Sequence, residues 1–138
     1  MRTAEPFTGG ATLAVQSSPG RPVRVLVVDD EDDIRETVAE VLLAEGYDVE
    51  TAPNGLEALR RVGDHPIDLV LLDLMMPVMD GWSFQTRLRA DPKTASLCVV
   101  AVTASWDAGA DPGFNAYLPK PFDLGQLLAI VGEFCPSK

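Results

Sequence analysis

Apolar residues follow two rhythms along this chain. Val25-Leu26-Val27-Val28, Leu69-Val70-Leu71-Leu72 and Val99-Val100-Ala101-Val102 are unbroken runs, each stopped by a polar residue. Such runs predict strands buried on both faces, as in a parallel sheet. They extend to strands over 23–28, 67–73 and 97–103, with shorter strands over 47–52 and 116–118. Between them the spacing turns helical. Ile34, Val38, Val41 and Leu42 mark a first helix that begins among Asp32 and Asp33 and stops near Gly46. Leu56, Leu59 and Val62 line one face of a second helix. A third starts at Gly81 and runs through Trp82, Leu88 and Arg89 to Asp91-Pro92. A last one follows Pro121, capped by Asp123, with Leu124, Leu127, Leu128 and Val131 as its buried stripe. Strands alternating with helices imply right-handed crossovers and a three-layer α/β sandwich.

The polar residues that stop the runs gain meaning from this arrangement. In parallel sheets the carboxyl ends of the strands face one crevice, and ligands bind there. That rim collects Asp29, Asp30, Asp73, Thr103 and Lys120. Carboxylates packed together repel one another, and a hard divalent cation with oxygen ligands relieves the repulsion. Mg²⁺ is the natural candidate, and a backbone carbonyl from the Met75-Met76-Pro77 turn is a further oxygen within the same loop. Thr103 has the bland alternative of a β-branched strand residue. Lys120, set between Pro119 and Pro121 with a Lys120-Pro121 bond open to the cis form, resists a bland reading. An ammonium aimed into an acidic crevice binds phosphate as a point charge. Asp32 and Asp33 read as a solvated helix start, Asp80-Gly81 as a turn and helix start, and His65 as a surface loop residue.

Size and charge narrow the classes. With 138 residues and 46% apolar content the chain suits one domain with its own core. A formal net charge of -10 lacks the basic footprint of a nucleic-acid binder. No apolar run reaches membrane-spanning length, and the start lacks a secretory core, so the expected setting is cytoplasmic. Cys98 reads as a small strand residue and Cys135 as a free thiol near the chain end. Residues 1–22, with Gly9-Gly10, Ser17-Ser18, Pro19-Gly20 and Pro22, read as a flexible extension ahead of one domain over 23–138.

Four motifs in order carry a family resemblance. They are Val-Val-Asp-Asp-Glu at 27–31, Leu-Leu-Asp-Leu-Met-Met-Pro-Val-Met-Asp-Gly at 71–81, Val-Thr-Ala at 102–104 and Tyr-Leu-Pro-Lys-Pro-Phe at 117–122. The chain resembles the receiver domain of two-component response regulators. The resemblance implies a flavodoxin-like, doubly wound five-stranded sheet of order 2-1-3-4-5 with helices on both faces. It implies that Asp73 is phosphorylated from a histidine kinase or a histidine phosphotransfer protein. Mg²⁺ would be held by Asp30, Asp73 and the Met75 carbonyl, with Asp29 assisting through water. Lys120 would contact the phosphoryl oxygen. Thr103 would hydrogen-bond it and move on activation, with Tyr117 rotating alongside. The switched surface would then act on a downstream protein, the chain being a monomer or weak dimer with no direct nucleic-acid or membrane contact. It would be a signalling phosphoacceptor, promoting only its own phosphotransfer and dephosphorylation.

Two departures from the family pattern stand out. The interval between Thr103 and Lys120 is several residues shorter than usual, and Gly109, Pro112 and Gly113 oppose a regular helix in it. The expectation is a shortened or absent helix over 105–115, with Trp106, Phe114 or both folded back over the sheet. There is also no output domain in the sequence, so a stand-alone regulator or relay shuttle is expected. Two rival readings stay open here. One is a binding module of the same fold that has abandoned phosphorylation. The other is an enzyme or flavin carrier on a similar sheet. Asp29 to Asp33 would repel a flavin phosphate, and Asp29-Asp30-Glu31 lacks the two-residue carboxylate spacing of an aspartate phosphatase.

Overall fold

Five parallel strands lie in the order β2-β1-β3-β4-β5. They are β1 (Arg24–Val28), β2 (Asp48–Ala52), β3 (Leu69–Asp73), β4 (Cys98–Thr103) and β5 (Ala116–Pro119), and the helices are α1 (Asp32–Ala44), α2 (Gly55–Asp64), α3 (Gly81–Ala90) and α4 (Leu124–Phe134). This computed structural model describes residues 22–104 and 113–134. Residues 1–21 of the expected extension over 1–22, the interval 105–112 with Trp106, and Cys135 lie outside the described residues.

The three central strands are apolar between their polar ends because both their faces are covered. Val25 and Val27 of β1 face one layer with Leu69 and Leu71 of β3, Val100 and Val102 of β4, Leu118 of β5, Val38 and Leu42 of α1, and Leu127 and Val131 of α4. Leu26, Val28, Val70, Leu72, Val99 and Ala101 face the opposite layer with Ala58, Phe84 and Leu88 of α2 and α3. Alternation along each strand thus splits one continuous run between two cores.

The helix ends follow from local chemistry. Gly46, at φ 96°, turns the chain out of α1 into β2 at a conformation other residues resist. The Asn54 side chain accepts the Glu57 N–H at 2.9 Å to cap α2, and Asp80 accepts the Ser83 N–H at 2.8 Å to cap α3. Asp123 and Gln126 exchange reciprocal bonds of 2.8 and 2.9 Å at the start of α4, a capping box that fits the expected cap.

Two expected core positions are corrected. Leu56 is 47% exposed, and Gly55 and Ala58 form the fully buried stripe of α2. Small residues let that helix sit close to the β3–α3 loop, which leaves the larger Leu56 outside. Leu124 is likewise 47% exposed. It is the first residue of α4, where it lines a cleft with Ile34 and Phe122. Phe114 agrees with its expectation: it is buried against the α2/α3 face, its ring edge-on to Tyr117 with centroids 5.9 Å apart. Cys98 is half-buried and free, and burial raises its thiol pKa. His65 stands in its loop as expected, with Nδ1 3.4 Å from a Glu50 carboxylate oxygen.

Candidate functional site

The carboxyl ends of β1, β3, β4 and β5 converge on one rim, and the expected polar residues meet there. Asp29 follows β1 directly and is buried; its Oδ1 accepts the Glu31 N–H at 2.9 Å. Its own N–H reaches the Ala52 carbonyl at 3.1 Å, which ties the turn to β2. Asp73 is the last residue of β3 and pairs in register with Val102. Its Oδ1 accepts the Met75 N–H at 3.2 Å. Asp30 is exposed at the outer lip. One carboxylate oxygen from each of Asp29, Asp30 and Asp73 lies within 4.8 Å of the others.

Lys120 closes the site from β5. Its Nζ lies 3.3 Å from Asp29 Oδ2, 3.5 Å from Asp73 Oδ2 and 3.6 Å from Glu31 Oε1. The Lys120 N–H donates to the Thr103 carbonyl at 3.0 Å, and the Lys120-Pro121 bond is cis. Thr103 is buried at the end of β4. Glu31 is a member that sequence reasoning did not single out. Its reach to Lys120, far along the chain, leaves no local signal.

The electrostatics show a site with surplus negative charge. Burial raises the Asp73 pKa from 3.8 to about 6, helped by the charge of Asp29 and opposed by Lys120 and the Met75 N–H. For Lys120, burial works against the charged form, but Asp29, Asp73 and Glu31 outweigh it and raise its pKa. One ammonium faces three carboxylates, so the donor set suits a small divalent cation with oxygen ligands.

The β3–α3 loop is held against this rim. The Gly81 N–H donates to the Leu74 carbonyl at 3.0 Å. A Cβ on Gly81 would stand 2.5 Å from Leu74 Cδ2, 2.8 Å from Leu74 Cα and 3.0 Å from the Asp73 carbonyl oxygen. Only glycine lets α3 start so near the chain that carries Asp73. Met75 and Val78 in this loop are exposed, and Val78 adopts φ 70°. Tyr117 stands apart from the acidic cluster and packs toward Phe114 on the α2/α3 face. Among the described residues no helix is long and apolar enough to cross a membrane.

Comparison with known proteins agrees with this architecture. A family model described as the response regulator receiver domain matches residues 25–132. The transcriptional regulatory protein PrrA of Mycobacterium tuberculosis is 42% identical over 111 residues, which cover 78% of this chain and 48% of PrrA. The response regulator MprA of a Mycobacterium species is also 42% identical over 111 residues, with the same coverage. The chain thus spans about half the length of the curated relatives it matches. Among solved structures, chemotaxis protein CheY4 of Vibrio cholerae superposes with a TM-score of 0.77 at 32% identity, covering 81% of this chain and 98% of CheY4. Response regulator TrrA of Thermotoga maritima, crystallised in complex with Mg²⁺-BeF, gives 0.74 at 35% identity over 81% of this chain and 98% of TrrA. Sheet order, helix placement, sequence and motif order all point one way: the chain belongs to the response regulator receiver domain family.

Proposed function

We propose that this receiver domain accepts a phosphoryl group on Asp73 and that Mg²⁺ assists the transfer. The observation that carries the reading is the buried Asp73 carboxylate, with Asp29 and Asp30 oxygens within 4.8 Å and Lys120 Nζ at 3.5 Å. Asp30, Asp73 and the Met75 carbonyl would hold the cation, with Asp29 assisting through water. Bound there, Mg²⁺ would neutralise charge that builds on the transferred oxygens.

The chain's own residues do the rest. Asp73 Oδ attacks phosphorus in line and forms an acyl phosphate, while the donor leaves with the former bonding pair. The Met75 N–H keeps the Asp73 carboxylate oriented before attack. Lys120, held by Asp29 and Glu31, meets a phosphoryl oxygen as a point charge. The Thr103 hydroxyl binds another phosphoryl oxygen and shifts toward it, and Tyr117 rotates to follow. The donor is a histidine kinase or histidine phosphotransfer protein, and the changed surface acts on a downstream protein in the cytoplasm. A net charge of -10 favours protein partners over nucleic acid for this chain.

The test is an intact-mass measurement after a small-molecule phosphodonor with Mg²⁺. One phosphoryl mass should appear on the parent and none on Asp73→Asn. An unlabelled parent would favour the rival reading, a binding module of the same fold.

A further inference from the structure

At the rim opposite the acidic site, one guanidinium gathers the segments that lead into two strands. Arg89, in the last turn of α3, donates through one terminal nitrogen to the Ala95 and Leu97 carbonyls at 2.7 and 2.8 Å. Its other terminal nitrogen donates to the Gly113 carbonyl at 3.0 Å and to Asn115 Oδ1 at 3.2 Å. The first pair precedes β4 and the second precedes β5. Asn115 locks the two segments together, because Oδ1 accepts the Val99 N–H at 2.8 Å and its own N–H donates to the Val99 carbonyl at 2.8 Å. Buried Gln85, one turn earlier on α3, also donates to the Gly113 carbonyl.

These contacts matter because they add to the short β4 ladder and the buried Leu118 in fixing where β5 ends. It is an edge strand, paired only with β4 over Ala116 to Pro119. The next residue after it is Lys120. A slip of one residue moves the chain by about 3.3 Å and turns side chains to the other face. Lys120 Nζ sits within 3.6 Å of three carboxylates, so such a slip would empty the site of its ammonium.

We infer that Arg89 is a positioning residue for phosphotransfer: by fixing the starts of β4 and β5 it holds Lys120, and Thr103 beside it, in reach of Asp73. The inference rests on the phosphotransfer reading above. The planar five-donor fork suits four acceptors from two segments, and an ammonium does not span them. The carboxylates arise from β1 and β3, which Arg89 does not hold.

Initial rates of acyl phosphate formation with acetyl phosphate and Mg²⁺ test this in the parent, Arg89→Lys, Asn115→Ala, Lys120→Ala and the double variant Arg89→Lys with Lys120→Ala. Arg89→Lys should label about tenfold more slowly than the parent, in line with the cost of sub-ångström to ångström misplacement. Asn115→Ala should fall in the same direction and stands in if Arg89→Lys does not fold. Mg²⁺ affinity, read by titration, should not weaken. In the Lys120→Ala background the Arg89→Lys effect should shrink to about twofold or less, the mark of action through Lys120. Parent-like rates in both single variants would overturn the inference while leaving the phosphotransfer reading intact. So would an unchanged Arg89→Lys cost without Lys120, or Mg²⁺ affinity falling in step with rate. A parent that takes no label overturns the phosphotransfer reading, and this inference with it.

Discussion

Lys120 Nζ stands 3.5 Å from Asp73 Oδ2, although β4 separates their strands in the sheet. The side chain crosses the end of β4 to reach the acidic cluster, and its backbone N–H bonds the Thr103 carbonyl on the way. Ammonium, hydroxyl-bearing strand end and carboxylate are therefore linked by direct contacts.

Lys120→Ala should slow phosphodonor labelling on the order of 100-fold, the usual cost of removing one preorganised group that meets developing charge. Lys120→Arg should not restore the phosphorylation-linked change in amide exchange near Thr103, since a longer planar fork does not replace a point charge in a tight pocket. Exchange changes equal to the parent's in Lys120→Arg would refute this role.

Asp73→Asn separates chemistry from stability. A carboxyl whose folded pKa lies above its unfolded one favours the folded state only while protonated. For Asp73 that contribution is complete below pH 3.8 and is lost as pH rises through about 6. A shift of about two units corresponds to about 3 kcal/mol. Without metal, Asp73→Asn should be more stable than the parent by up to about 3 kcal/mol near pH 8, and the advantage should vanish by about pH 4. Added Mg²⁺ should reduce the gap. Urea unfolding across pH checks it, and a gap that widens toward acid would contradict the sign.

Asp30 is the exposed member of the cluster, so its loss should cost metal without costing fold. Asp30→Ala should weaken Mg²⁺ binding by roughly ten- to a hundredfold, with metal-free stability unchanged or higher as like-charge repulsion falls. Unchanged Mg²⁺ affinity by titration would remove Asp30 from the metal site.

Val78 holds a β-branched side chain at φ 70° on an exposed loop. The left-handed conformation costs an L-residue about 1–2 kcal/mol, part of which glycine returns as unfolded-chain entropy. Val78→Gly should gain about 1 kcal/mol net, seen as a higher urea midpoint at unchanged slope. A lower midpoint would mean that the loop holds Val78 for contacts beyond its backbone.

The sequence exposes this site well because continuous apolar runs stop where the strands stop, so Asp29, Asp73 and Thr103 announce their rim by position alone. Sheet order follows from the family resemblance rather than from the runs themselves. Helix faces are less legible. Period alone points Leu56 and Leu124 inward, whereas burial of Gly55 and Ala58 leaves Leu56 outside, and Leu124 stays exposed as the first residue of α4. Arg89 carries no local signal, since three of its four acceptors are backbone carbonyls and their identity lies in the fold. Glu31 is silent for a similar reason: its partner is far away in sequence.

Helix α3 is fastened at both ends, by Gly81 against Leu74 at the acidic rim and by Arg89 among four acceptors at the other. Each inserted residue would rotate one end against the other by about 100° and lengthen the span by about 1.5 Å. Its exposed positions are free to vary in chemistry, but the count of residues between Gly81 and Arg89 is not. The helix works as a gauge block: its ten residues set the distance across the sheet, and an insertion there would be felt at both rims at once.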